Sequence, residues 1–206
     1  MNKKFVYTEK EIKLFNKLDT PQKIQDYLNS IPFNFEKRGE TCMSPRRVIE
    51  EKIAHCMEGA MFAAVALEFH GQKPLLLDLR STKADLDHIV AVFKKHGCFG
   101  AISKTNHAVL RYREPIYKTL HELVLSYFHE YFLNNGEKTL REYSELFDLS
   151  KLKISWRTSK KELFEIPKHL DKIKHHSILS KEQIKNLRKA DKIEIKAGKL
   201  VEYRPK

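Results

Sequence analysis

The stretch Cys56-Met-Glu-Gly-Ala-Met-Phe-Ala-Ala-Val-Ala-Leu67 constrains this chain more than any other. It has helix-forming residues throughout and apolar side chains on nearly every side. A helix apolar all round is a buried one. The helical reading runs from Arg47 to Phe69, with a break near Ala54-His55-Cys56, and Gly71 is its stop. The rest of the fold must therefore wrap this segment. Pro74-Leu-Leu-Leu-Asp-Leu79 is a short apolar run of central-strand type, and His88-Ile-Val-Ala-Val-Phe93 is another. Lys95-His96-Gly97 supplies a tight turn into a third strand, Cys98 to Ser103. The short turn makes the last two strands antiparallel.

Helices flank this centre. Thr8-Glu-Lys-Glu11 has the form of a capping box opening a helix through Leu18, and Thr20-Pro21 starts a second. Pro32 to Pro45 reads as loop. Leu120, Leu123, Val124, Tyr127, Phe128, Tyr131 and Phe132 follow helical spacing and mark the core face of a long helix, ended by Asn134-Asn135-Gly136. Thr139 to Phe147 reads as a shorter helix, and Ser180 with Gln183 as the cap of another. Ile193-Glu-Ile and Leu200-Val-Glu-Tyr203 read as a terminal hairpin. The fold class is α+β: a buried helix beginning at Cys56, packed on a small antiparallel sheet.

At 206 residues, 41% hydrophobic and 32% charged, one domain with an appendage is expected. The division falls at charge: residues 150–206 hold 17 Lys and Arg against 7 Asp and Glu, whereas residues 1–149 are nearly balanced. Residues 1–149 are read as the main domain, with its core at about 40–134. Residues 150–206 are read as a basic extension packed on that core. Such a segment binds nucleic acid or forms a solvated surface, and its Trp156, Phe164 and Tyr203 are candidate stacking platforms for single strands. No apolar run reaches the roughly 18 residues of a membrane span, and the opening residues lack the apolar stretch of a signal peptide. A cytoplasmic location is expected. Three cysteines, none in a CxxC pair, argue against a disulfide framework and a zinc site, and no EF-hand loop is present. No metal or cofactor is expected.

A catalytic thiol needs a lowered pKa, a base and donors for an oxyanion. A helix N-terminus supplies the first and third, and Cys56 stands where one is expected. His88, opening an apolar strand, is the candidate base. His55 adjoins Cys56, but adjacent residues on a helix do not face each other, so it is read as a positioning or core residue. Glu58 lies in the first turn, where a carboxylate suits the dipole; Lys104, Arg111 and Arg113 are candidate cleft residues.

The order of Cys56 on a buried helix, Gly71-Gln-Lys-Pro74, His88 at a strand start and a hairpin resembles the transglutaminase-like superfamily, whose core is papain-like. Gly71 to Pro74 resembles its Gly-Ile-Pro turn, and residues 88–103 resemble its His-Ala-Trp-Val-Glu-Val hairpin. Ala54-His-Cys-Met-Glu-Gly-Ala60, Pro74 to Leu79 and Gly100-Ala-Ile-Ser-Lys-Thr-Asn-His107 resemble a bacterial group of unassigned function within it. The likeness covers about residues 40–110, and the closer one extends through Phe147. It implies a thioester mechanism on an amide or ester carbonyl, with hydrolysis of a peptide or amide ahead of transfer. The superfamily places an Asp fifteen or sixteen residues after its His, where this chain has Ser103 or Lys104. Asn106 is therefore the expected third member, in a papain-like Cys-His-Asn set, with Ser103 as its substitute; Asp85, Asp87 and His107 are further neighbours. The alternatives to an enzyme are a nucleic-acid-associated binding module and a catalytically degenerate scaffold.

Overall fold

The structure, a computed structural model, describes residues 6–204. The start of the chain, on which the reading about a signal peptide rests, lies in part outside them. Four helices come first: α1 (Glu9–Lys17), α2 (Pro21–Ser30), α3 (Pro45–Glu51) and α4 (Cys56–Phe69). Each of the first three is capped by the side chain just before it. Thr8 and Glu11 form the reciprocal box, with Thr8 N donating to Glu11 Oε2 at 2.6 Å, while Thr20 and Ser44 accept from the third backbone N–H of α2 and α3. The break between α3 and α4 begins at Lys52, whose φ of 53° stops the α3 spiral.

A mixed helical and antiparallel arrangement follows. Strands β1 (Leu75–Arg80), β2 (His88–Lys95), β3 (Cys98–Ile102), β4 (Arg113–Tyr117), β5 (Glu142–Ser144), β6 (Phe147–Asp148) and β7 (His175–Ser177) form one sheet. Its order is β4-β3-β2-β1-β5-β7, with β6 also paired to β1, and its pairings are antiparallel. The β2–β3 turn has positive φ at both His96 and Gly97, the backbone of a two-residue turn whose twist suits a hairpin.

Both faces of the sheet are covered. Leu76, Ile89, Ala91, Phe93 and Ile102 pack with α1 to α4. Their alternates Leu77, Leu79, Val90, Val92 and Ala101 pack with Leu123, Val124 and Tyr127 of α5 (Leu120–Phe128). That double burial is why β1 and β2 read as continuous apolar runs rather than alternating ones. At about 25 cal/mol per Å² of apolar area, each such Leu, Ile, Val or Phe side chain contributes roughly 1.5–3 kcal/mol.

Three expectations are corrected. The long helix ends at Phe128, because Tyr131 turns inward, where its hydroxyl donates to the Leu86 carbonyl. Residues 139–147 are not helical: Tyr143 pairs with Leu79 and Phe147 with Leu76, so sheet pairing overrides a weak local pattern. The terminal hairpin is absent; Lys192–Gly198 is a helix, α8, opened by Asp191 N donating to Glu194 Oε2 at 2.6 Å. Leu200 and Val201 pair instead with the loop at His107 and Ala108.

Residues 150–204 are woven into the same core. Trp156, Leu163, Ile166 and Leu170 are buried with α4, the last two on α6 (Glu165–Leu170), and β7 extends the sheet; the short α7 (Lys181–Lys185) lies outside the core. No helix among the described residues is long and apolar enough to cross a membrane.

Candidate active site

Cys56 is the first residue of α4, so its sulfur stands at the helix end where backbone N–H groups are free. The helical ladder opens with Gly59 N donating to the His55 carbonyl at 2.9 Å, which leaves the N–H groups of Cys56 and Met57 outside it. The start is held by Glu58, which is fully buried. Its carboxylate accepts from His55 N at 3.0 Å, Met43 N at 3.0 Å, Thr41 Oγ1 at 2.8 Å and Asn34 Nδ2 at 3.1 Å. Glu58 thus ties the loop of residues 34–43 to the Cys56 turn. Gly59 is fixed by close approach: a Cβ there would lie 2.4 Å from Lys104 Cβ.

His88 opens β2 beside the sulfur. Its Nε2 lies 2.8 Å from Ser103 Oγ, and Ser103 Oγ lies 2.6 Å from the Leu110 carbonyl. A carbonyl only accepts, so the single Ser103 hydroxyl proton goes to Leu110. Toward His88 the hydroxyl must then accept, which places a proton on Nε2 and leaves Nδ1 for the sulfur. Leu110 is itself held in a left-handed conformation, φ 59°, by its N–H bond to Glu130 at 2.7 Å.

Burial alone would push the Cys56 thiol up. Hydrogen bonds from His55 and His88, together with their charges, outweigh burial and bring it down to about 5. Cys42 shows the contrast: buried, and beside the Glu58 and Glu162 carboxylates, its thiol is pushed up to about 12. A thiolate at a helix N-terminus beside an imidazole of fixed tautomer can attack a carbonyl carbon, and the free N–H groups can receive the oxyanion.

The sulfur lies in a cleft of about 580 Å³. Phe33 and Phe35 form one wall, Leu86 and Tyr131 another, and Ile195 with Lys199 of the α8 region a third. Asp85 and Asp87 also line it, yet both are engaged: Asp85 accepts from Thr139 and Asp87 from Ser81.

Of the residues expected from sequence, Cys56, His88 and Ser103 are brought together. Asn106 is not the orienting group. Its amide is spent on the C-terminal segment, donating to the Tyr203 carbonyl and accepting from Tyr203 N, both at 2.9 Å. Lys104 lines the cleft, but its Nζ donates to the carbonyls of Leu28 at 2.8 Å and Ile31 at 2.7 Å, at the end of α2. Burial pulls its ammonium down to about 8. Arg111 pairs with Glu202, Arg113 with Glu130, and His107 bonds the Gly198 carbonyl.

His55 is the residue the sequence reading undervalued. The rule that neighbours on a helix diverge does not reach it, because it is the N-cap, with φ −94° and ψ −173°. The signal was present in His55-x-x-Glu58: the Glu58 carboxylate accepts from the His55 backbone N–H, and the His55 ring makes no cap bond of its own. Among the described residues, no group of three or more His, Cys, Asp or Glu is placed to hold a metal ion. No family model matches the chain, and a comparison with curated proteins finds no match.

Proposed function

We propose that this chain is a cysteine hydrolase of the transglutaminase-like, papain-like type, acting on an amide or ester carbonyl. The observation that supports this best is the His88 tautomer: Ser103 donates to Leu110, so Nε2 of His88 holds the ring proton and Nδ1 is left as the acceptor, on a ring that hydrogen-bonds Cys56. In this reading the Cys56 proton passes to Nδ1 of His88. The thiolate forms a C–S bond to the carbonyl carbon, and the carbonyl electron pair moves to oxygen beside the N–H groups of Cys56 and Met57. Collapse breaks the bond to the leaving nitrogen or oxygen, which takes the proton from His88. Water then attacks the thioester, giving a proton to Nδ1, and the C–S bond breaks to return the thiolate. Ser103 takes the part for which the superfamily uses an Asp. A hydroxyl fixes the ring as well as a carboxylate does, but adds no charge opposite the imidazolium.

The cleft suits an extended substrate with an apolar group against Phe33 and Phe35, which pack edge to face at 5.3 Å. A peptide or amide fits this description. The test is intact-protein mass spectrometry after mixing with a p-nitrophenyl ester. An acyl adduct confined to Cys56, lost in Cys56→Ala and slowed in His88→Ala, is the expected result; hydrolysis without any Cys56 adduct would sink the reading. Stacking on Trp156 does not support a single-strand-binding alternative, because that ring is fully buried.

A further inference from the structure

We infer that His55 is a second catalytic imidazole, a standing cation on the Cys56 sulfur, while His88 alone exchanges protons during turnover. The inference rests on the thiolate chemistry proposed for Cys56.

The two rings that reach the sulfur have different surroundings. His55 Nε2 lies 3.0 Å from the Thr41 carbonyl, which can only accept, so that nitrogen carries a proton in every state. The same Nε2 is 3.4 Å from Glu58 Oε1 and 3.7 Å from Glu36 Oε1. Glu162, which closes on Arg47 and accepts from Cys42 N at 2.6 Å, adds to the negative field at the ring. The ring's remaining nitrogen is left to Cys56. His55 therefore stands between a thiolate and a set of carboxylates, an environment that keeps an imidazolium charged. Burial opposes that charge, but the hydrogen bond and the charge of Cys56, with the help of Glu58, prevail and raise the ring to about 9.

His88 has no such support. Its Nε2 meets a hydroxyl whose own proton is directed elsewhere, and Asp87, its neighbour in the chain, is turned to Ser81. Of the other titratable groups near the sulfur, Tyr131 and Cys42 are driven up by burial, Asp85 and Asp87 accept from Thr139 and Ser81, and the Lys104 head is held by the carbonyls of Leu28 and Ile31. One ring is thus built to stay charged and the other to change state. Through the steps given above His55 keeps both its protons; it neutralises the thiolate at rest and faces the departing charge when the C–S bond breaks.

The test is the pH profile of Cys56 alkylation by iodoacetamide, read by peptide mass spectrometry in the full chain and in His55→Asn and His88→Asn. Asn is chosen because it caps helices well. Loss of His55 should move the thiolate midpoint up by at least about one unit, so that reaction falls about twofold near pH 6 and about tenfold near pH 4. Loss of His88 should leave a low-pH limb while abolishing ester turnover. An unchanged profile in His55→Asn overturns the inference. If that variant does not fold, ¹⁵N spectra of the wild-type histidine rings decide: two protonated nitrogens on His55 near pH 7.5 support it, and one bare nitrogen overturns it. A low thiolate midpoint that depends on His55, in a chain that forms no acyl adduct, would leave this inference standing and defeat the hydrolase reading alone.

Discussion

His88 donates through Nε2 to Ser103 at 2.8 Å, and Ser103 hands its own proton to a backbone carbonyl. The direction of those two protons decides which face of the imidazole is basic. Removing the hydroxyl frees the ring to rotate or change tautomer. Ser103→Ala should slow both Cys56 alkylation near neutral pH and ester turnover by about tenfold, the effect of losing roughly 1–1.5 kcal/mol of fixed hydrogen bonding. Asn106→Ala should leave the alkylation rate unchanged. Parallel alkylation time courses compare the two, and the reverse ranking would return the orienting role to Asn106.

The thiol at about 5 predicts a pH-independent alkylation rate from about pH 6 to 8, falling as pH drops through 5. Cys42, buried and pushed up to about 12, should stay unmodified throughout. Stability follows the same shift. An unfolded thiol ionises near 8.5. The folded value is depressed, so its contribution is full above about pH 8.5 and is lost as pH falls toward 5. Urea titrations of wild type and Cys56→Ala at about pH 9 and 5 should show the difference between them shrinking at the lower pH.

Gly59→Ala places a methyl 2.4 Å from the Cβ of Lys104, whose head is anchored on two carbonyls of α2 and the loop after it. Neither side can yield easily. The cost should be about 1–3 kcal/mol, seen as a lower urea midpoint.

Trp156 lies within the charge-rich last quarter yet is fully buried against the α4 core. Trp156→Ala should cost about 3–5 kcal/mol in urea unfolding. A change under about 1 kcal/mol would mean that residues 150–204 are a detachable appendage after all.

What was legible in the sequence is what local patterns determine. The mostly apolar run at 56–67, the capping residues Thr8, Thr20 and Ser180, and the His96-Gly97 turn each act within a few residues. The positions of Cys56 at a helix start and His88 at a strand start were legible because both are local signals. The choice between Ser103 and Asn106 was not, since it depends on Leu110 accepting from one and on Tyr203, 97 residues away, occupying the other. Tyr143 and Leu200 failed for the same reason: their partners, Leu79 and Ala108, are remote in the chain. At 150–206 net charge describes the surface alone: a count of Lys and Arg is blind to the buried Trp156, Leu163 and Ile166 between them.

Asn106 and His107, which line the cleft, are fastened by Tyr203 and Gly198. These bonds close chain loops of 97 and 91 residues, whereas α4 and the β2–β3 hairpin need only near neighbours. The helix that carries Cys56 is thus a local product of the chain, and the enclosure around its sulfur is a long-range one with the greater entropic cost of closure.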